Sequence, residues 1–580
     1  MHEVKPALAY GALDDPAAEY VNTRPPNPIL NSDATFGLAK TWLEECELLH
    51  SSCKAAMNTR GPSGPGRLLD LSVSRNYVKL IQLNVSVHVR YATFSYCKSL
   101  KRDNFTTLRT LKSNLQSIKI SKLPRSVQEA IIVARRLALS FLWVDSLCIV
   151  QGSQKDKDLE TSKIPQIFTN AVVNIVAANN DNASKSFLRP CQVTEERLLT
   201  AIRMPVYCPD GKSGSIYISM QPQVAFEQEP LNSKAWALQE LWLAPRMLMF
   251  SSNQLQWQCL TVSLADGGHQ TCCKFHEKRF EILQAGKSVR PSLESRDYYV
   301  RRWEDLVHDY TSRTVAEEED KLPGLAGIAA DFHNVFLTFD RNDQYAAGIW
   351  TSSMPTLLMW HQIVAGPKLH PSTPIKYRAP SWSWASVEGT VCPGNATVHA
   401  KGRVPSIEIL KVRIDRQQGH QYGKVTHAEL QVRANIISLS KADVNSRFNI
   451  CSQQYVPSAG FTVDMIIPDG GEDNLDFAFS TSGAKQSKGL RDLVRSSSPR
   501  ISDPFSQKCA VRPVYWFMEI WSATTSSGPC GLVLQRVERD IYRRTGIFIL
   551  PTTTRRTEYT TGIWEKHWDI EWRSDIISII

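Results

Sequence analysis

The sequence predicts an α/β protein built on an open, mainly parallel sheet, joined by a helical bridge to a β-rich C-terminal region. Three segments between residues 90 and 190 carry that expectation. Tyr91–Cys97 (YATFSYC) is β-branched and aromatic and suits a strand. In LPRSVQEAIIVARRLAL, Val127, Ala130, Ile131, Ala134, Leu137 and Ala138 share one helical face. Arg125, Gln128, Glu129, Arg135 and Arg136 fall mainly on the other, which makes the helix amphipathic. FLWVDSLCIV and AVVNIVAA (Ala171 to Ala178) are apolar runs of the kind seen in strands buried on both faces. Strand, helix, strand, helix, strand in about 90 residues points to βαβ units and a parallel sheet.

Taken in order, residues 1–35 are rich in Pro, Asn and Asp, lack periodicity and read as a flexible arm. Residues 36–89 hold an opening helix and strand: a helix from Asp33 to about Ala56, the breaker GPSGPG (Gly61 to Gly66), then RLLDLSV. Residues 90–260 form the core. Within it Pro165 ends or kinks the second crossover helix. Its last part is short strands and turns around the compact segment SKAWALQELWLAPRMLMF. Residues 261–400 read as a helical extension ending in SWSWAS, with Trp303, Leu306, Val307 and Tyr310 at helical spacing. Residues 401–580 are β-rich: HAELQVRANIISL alternates like a half-buried strand, IYRRTGIFIL is strand-like, and a Ser-rich loop lies near 481–508.

Composition narrows the class. A chain of 580 residues, 42% hydrophobic and 21% charged, has ample material for several folded cores. The net charge of +10 is dilute, and no block of like charges forms a nucleic-acid arm. Thirteen cysteines are too few for a disulfide scaffold, and Cys97 and Cys148 sit in apolar runs. The first residues lack a basic and apolar leader, and the most apolar stretch, around Ile131 to Val150, is interrupted by Arg135, Arg136 and Asp145. The expectation is a reducing, cytoplasmic protein with no membrane span and no nucleic-acid partner.

Candidate site residues lie where predicted elements end. Ligands of open α/β sheets bind outside the carboxyl ends of the strands. Ser95, Tyr96 and Cys97 end one strand, and Asp145 and Ser146 interrupt another after Leu142-Trp143-Val144. Asp145 is either a cap for the next element or a site carboxylate. Trp236, Gln239 and Glu240 share a helical face that suits a ring and a hydroxyl, or alternatively a packed interface. Asp145 and Glu240 are the candidate catalytic groups; Ser95, Tyr96, Cys97, Trp236 and Gln239 are candidate binding groups. Cys46, His50 and Cys53 fall on one helical stripe, and His269, Cys272, Cys273 and His276 form a second thiol and imidazole group. Neither has zinc-ribbon spacing, and no metal or cofactor is assigned from sequence. The Ser-His-Asp, P-loop and dinucleotide glycine templates find no match.

Several blocks, in order, resemble the fungal heterokaryon-incompatibility (HET) family. WLEECELLHSSC (Trp42 to Cys53) is similar to a tryptophan–cysteine–histidine–cysteine helix upstream of that domain, followed by RLLDL (Arg67 to Leu71). YATFSYC resembles the first family motif, LPRSVQEAIIVARRLALSFLWVDSLCIVQ the second, and AWALQELWLAPRMLMF the third; QIFTNAVVNIVAA follows the second in the family's manner. DKLPGLAGIA, YAAGIW and APSWSWASVEG are similar to the extension of long members. Two departures stand out: Lys98-Ser99 where the family has Trp-Gly, and Lys234-Ala235 where it has Arg-Gly. They would mark a diverged allele or a weakened effector. The resemblance implies vegetative incompatibility: recognition of self and non-self between fused hyphae, leading to programmed cell death. The implied partner is a protein from an incompatible allele or locus, with homo-oligomerisation left open. Distant likeness of the family core to the Toll/interleukin-receptor (TIR) fold, which shares the flavodoxin-like sheet, supplies a second expectation. That alternative is a glycohydrolase acting on NAD or a nucleotide, with Glu240 or Asp145 stabilising an oxocarbenium-like centre.

Overall fold

The computed structural model describes residues 7–11, 15–21, 23, 26–58, 64–83, 89–98, 105–190, 202–220, 228–268, 279, 281–283, 285, 292–363, 376–392, 405–417, 421–440, 449–450, 465–468, 514–521, 530–549 and 572–580. The chain divides into two compact units, one of residues 1–345 with 416–425 and one of 346–415 with 426–580. The Ser-rich stretch near 481–508 and the group His269, Cys272, Cys273 and His276 lie outside the described residues.

In the first unit the strands are β1 (Ala7–Gly11), β2 (Arg67–Asp70), β3 (Tyr77–Gln82), β4 (Tyr91–Ser95), β5 (Ile118–Lys119), β6 (Phe141–Trp143) and β7 (Val173–Ala177). They continue as β8 (Ile202–Tyr207), β9 (Ser213–Met220), β10 (Arg246–Phe250), β11 (Leu255–Cys259) and β12 (Ser263–Ala265). The helices are α1 (Asp33–Leu49), α2 (Ser51–Asn58), α3 (Leu111–Gln116), α4 (Arg125–Arg136), α5 (Asp145–Cys148), α6 (Gln154–Ser162) and α7 (Ile164–Asn170). After them come α8 (Ala235–Leu243), α9 (Leu293–Thr311) and α10 (Ala326–Phe339).

Nine strands form one sheet in the order β12-β11-β10-β7-β4-β6-β2-β3-β5. The four central strands, β10, β7, β4 and β6, are parallel. The flanking strands on both sides are antiparallel, so the sheet is mixed but mainly parallel at its centre. Every residue of β4, β7, β10 and β11 is buried, the pattern of strands covered on both faces. The chain runs from β4 outward to β6, then crosses back past β4 to β7 and on to β10. That is the flavodoxin-like order, and its direction reverses beside β4.

The local reasons are legible. Helix α4 buries Val127, Ala130, Ile131, Val133 and Ala134, and the Arg135 guanidinium on its outer face donates to the carbonyls of Leu71 and Ser74. Ala138 adopts φ 56° just beyond the helix, a left-handed stop. Glu129, 1% exposed, accepts hydrogen bonds from the backbone N–H groups of Phe187 and Leu188, so α4 is pinned to the loop after β7. Pro165 enters at the start of α7 and separates it from α6, as its missing N–H requires.

Three segments depart from the sequence reading. FLWVDSLCIV is a strand only over Phe141–Trp143; the chain then turns at Val144 into the short helix α5, whose first residue, Asp145, accepts the Ser146 N–H at 2.6 Å. The opening helix is broken at His50, whose backbone is extended (φ −88°, ψ 102°), giving α1 and α2. Residues 1–35, read as an arm, contain β1, which pairs with β9, and a turn of 3-10 helix over Pro16–Glu19 capped by Asp15.

In the second unit, Val425–Ser440, Val514–Trp521, Cys530–Glu538 and Ile541–Ile549 pair antiparallel in that order. Arg573–Ile579 pairs with both Val425–Ser440 and Ile541–Ile549 and closes these five strands into a barrel-like ring. The SWSWAS segment packs inside this unit: Trp360 Nε1 donates to the Trp382 carbonyl at 2.9 Å and Trp384 Nε1 to the Gly348 carbonyl at 2.9 Å. Arg544 stacks on the Trp360 ring, 3.6 Å from its centroid.

Candidate functional site

Strand β4 ends at the place where the order of the parallel strands reverses, and the polar residues of the first motif project from that end. Ser95 is buried, and its Oγ lies 2.5 Å from Glu240 Oε2 of α8, 145 residues further along the chain. Asn174 of β7 donates through Nδ2 to Ser95 Oγ at 3.0 Å, and Thr93 Oγ1 donates to Asn174 Oδ1 at 3.1 Å. Thr93, Ser95 and Asn174 thus form a buried polar ladder on one face of the sheet, ending at Glu240.

Beside it lies a second network. Tyr96 donates its hydroxyl to Ser146 Oγ at 2.8 Å and approaches Asp145 Oδ1 at 3.3 Å. Lys98 Nζ pairs with the other carboxylate oxygen of Asp145 at 2.5 Å. The Tyr96 ring stacks on Phe94 with centroids 4.6 Å apart, which fixes the phenol at the strand end. Lys98, one of the two departures from the family motif, is half exposed and supplies the cation of this pair.

The electrostatics separate the two carboxyls. Burial raises the Glu240 carboxyl to about 8; the Ser95 hydrogen bond opposes the rise, Asp145 reinforces it and Lys98 opposes it. Glu240 is therefore largely protonated at neutral pH and can donate a hydrogen bond or a proton. Burial likewise pushes the Tyr96 phenol well above its ordinary value, with Asp145 adding to the effect. A neutral carboxyl next to an ion-paired one is an arrangement that can exchange protons or hydrogen bonds with an incoming group.

The remaining candidates are placed differently. Trp236 is half-buried and donates through Nε1 to Asp320 Oδ2 at 3.3 Å, the same oxygen that Lys157 reaches at 3.4 Å. Gln239 is fully buried; its Oε1 accepts the Gly327 N–H at 2.5 Å and its Nε2 donates to the Pro323 carbonyl at 3.4 Å. Its amide thus holds the first turn of α10. Cys97 is buried next to Tyr96, and burial raises its thiol to about 11, so it packs as a neutral group. On the other side of α8, Leu238 and Trp242 line a cavity with Glu281, Arg302, Asp305 and Phe332.

Sequence reasoning missed Thr93 and Asn174, whose polarity inside all-buried strands was the available signal. It also missed Cys259, at the end of β11, which joins Cys46, His50 and Cys53 in a group with metal-ligand spacing.

An open sheet of this order, with polar side chains gathered at its reversal point, defines an α/β module with a polar edge at the carboxyl ends of its parallel strands. Residues 91–240, the stretch from β4 into α8, match the family model described as Heterokaryon incompatibility protein (HET). The match begins at the first residue of β4 and ends at Glu240, and it bears out the resemblance read from the motifs. No curated protein and no solved structure gives a significant match to the chain. Among the described residues, no helix is long and apolar enough to cross a membrane.

Proposed function

We propose that this chain is a vegetative-incompatibility protein: it recognises a genetically different partner and commits the fused fungal cell to death. The observation that supports this reading is the convergence of the three HET motifs on one edge of the sheet. Ser95 and Tyr96 come from the first, Asp145 from the second and Glu240 from the third, and they join in adjacent hydrogen-bond networks. In this reading Asp145 and Glu240 are the site carboxyls, while Gln239 positions α8.

Recognition through protein contact is the favoured mechanism. Lys98, half exposed and paired with the mostly buried Asp145, is the part of the network that an incoming protein side chain can compete for. The partner is the product of an incompatible allele or locus, and the protein acts in the cytoplasm. The test is a fusion assay between fungal strains that differ only at this locus, with viability and NAD level followed in the fused cells. Death of mixed fusions, survival of matched ones and unchanged NAD during the first phase support the proposal. Equal survival of both fusions overturns it, and NAD loss preceding death replaces contact recognition with glycohydrolase chemistry.

A further inference from the structure

Away from the sheet edge, three segments distant in sequence bring four soft ligands together. Helix α1 contributes Cys46, the break after it His50, α2 Cys53, and the last residue of β11 Cys259. Their three sulfur atoms and a ring nitrogen all lie within 4.8 Å of one another. All three cysteines are buried free thiols. A tetrahedral zinc ion with Zn–S near 2.3 Å and Zn–N near 2.0 Å needs S···S separations of about 3.8 Å and S···N of about 3.5 Å. The Cys259 Sγ to His50 Nδ1 distance is 3.3 Å. The extended backbone of His50 breaks the helix between Cys46 and Cys53.

The surroundings carry independent information. The backbone N–H groups of Thr261 and Val262 both donate to Cys259 Sγ at 3.4 Å. Arg246 is 1% exposed; its Nε donates to Cys46 Sγ at 3.0 Å and its Nη1 to the Val172 carbonyl at 3.2 Å. Among the described residues it forms no ion pair with a carboxylate. A guanidinium stays charged in proteins and is costly to bury without a counter-charge. Three thiolates and a neutral imidazole around a divalent ion leave one net negative charge, which Arg246 neutralises. A set of neutral thiols would leave that cation uncompensated.

We propose that Cys46, His50, Cys53 and Cys259 form a structural zinc site that fastens α1 and α2 to the β11–β12 edge of the sheet. Four protein ligands leave no open position, so the ion is structural and performs no hydrolysis. Thiolate and imidazole in tetrahedral array favour zinc over the hard cations. On binding, each thiol releases its proton to solvent as its sulfur takes up the metal. The spacing of the first three ligands is visible in the sequence, but the fourth lies over 200 residues away and is supplied by the fold alone.

The test uses the full-length chain purified with zinc in the medium and without chelators. Elemental analysis is expected to find about one zinc per chain, and X-ray absorption a first shell of about three sulfurs near 2.3 Å and one nitrogen near 2.0 Å. Cys259→Ser and His50→Ala should lower the zinc content at least about tenfold, while Cys530→Ser, a buried free cysteine of the second unit, should leave it unchanged. The absorption spectrum reads the ligands in the unmutated protein, so a ligand variant that fails to fold does not decide the matter. Zinc below about a tenth per chain, iron in its place, a shell of oxygen and nitrogen, or full zinc in folded Cys259→Ser overturns the proposal.

Discussion

Glu240→Gln tests the electrostatics of the sheet edge directly, because it keeps the shape of the side chain and removes its titration. The carboxyl rises from an ordinary 4.5 to about 8 in the folded protein. A raised carboxyl holds its proton in the native state at pH values where the unfolded chain has lost it. Stability therefore falls as pH rises from about 4.5 to about 8 and is level on either side of that window. At about 1.4 kcal/mol per pH unit, a shift of this size corresponds to roughly 5 kcal/mol at full weight. Partial solvation of Glu240, together with relaxation around Lys98, reduces it to about 1–2 kcal/mol. The amide that replaces the carboxyl in the variant does not titrate and has no such window. Paired urea unfolding of wild type and variant, read by tryptophan fluorescence from pH 5 to 8.5, should show the variant gaining on wild type by that amount as pH rises. A gap that stays constant, or one that widens toward acid, would refute the reasoning. Neighbouring charges set the sign of two companion shifts: Lys98→Ala should move the window to higher pH, and Asp145→Asn to lower pH.

Other outcomes follow from packing and hydrogen bonding. Glu129→Ala should cost about 3–5 kcal/mol, because it leaves the Phe187 and Leu188 N–H groups buried without their acceptor; amide exchange at those two residues should accelerate with the loss. Gly327→Ala should destabilise the first unit by about 1–3 kcal/mol in thermal unfolding, since the new methyl would sit 2.6 Å from Leu243 Cδ1 and 3.1 Å from Gln239 Oε1. A fragment of residues 1–345 should remain folded with near-native circular dichroism. It loses the contacts that residues 416–425 make to Asp158, Glu319, His333 and Tyr345, all at the edge of the unit, so limited proteolysis that degrades it completely would contradict the division into units.

How much of this was legible in the sequence depends on whether the signal was local. The βαβ core was, because β4 and β7 are continuous apolar runs and α4 has one apolar face, patterns that their residues declare without reference to a neighbour. The convergence of Ser95, Asp145 and Glu240 was legible from the rule that strand ends collect function. What Gln239 does was not: its position on the Trp236 face suggested a ligand, whereas its amide meets the backbone of a helix almost 90 residues away. The apolar run around Leu142 hid a strand-to-helix change at Val144, because Leu147, Cys148, Ile149 and Val150 are as apolar as the strand before them. Strand β1 was hidden because five residues at the edge of a small sheet rely on β9 for pairing. The fourth member of the thiol group was hidden for the same reason: Cys259 looks like a buried strand cysteine until α1 is laid against β11.

If the stretch that matches the HET model acts through the carboxyls at the end of β4, as proposed, growth after induced expression tests it most directly. Full-length wild type, Glu240→Gln and Asp145→Asn would be induced in the same fungal host, with protein abundance measured alongside growth. Asn keeps a side-chain oxygen that can accept the Ser146 N–H, so the local backbone contact at position 145 survives that change while the charge that pairs with Lys98 is lost. Wild type is expected to arrest growth, and Glu240→Gln and Asp145→Asn each to restore it at equal abundance. Full arrest by both variants at wild-type abundance would contradict the proposal and remove these carboxyls from the mechanism.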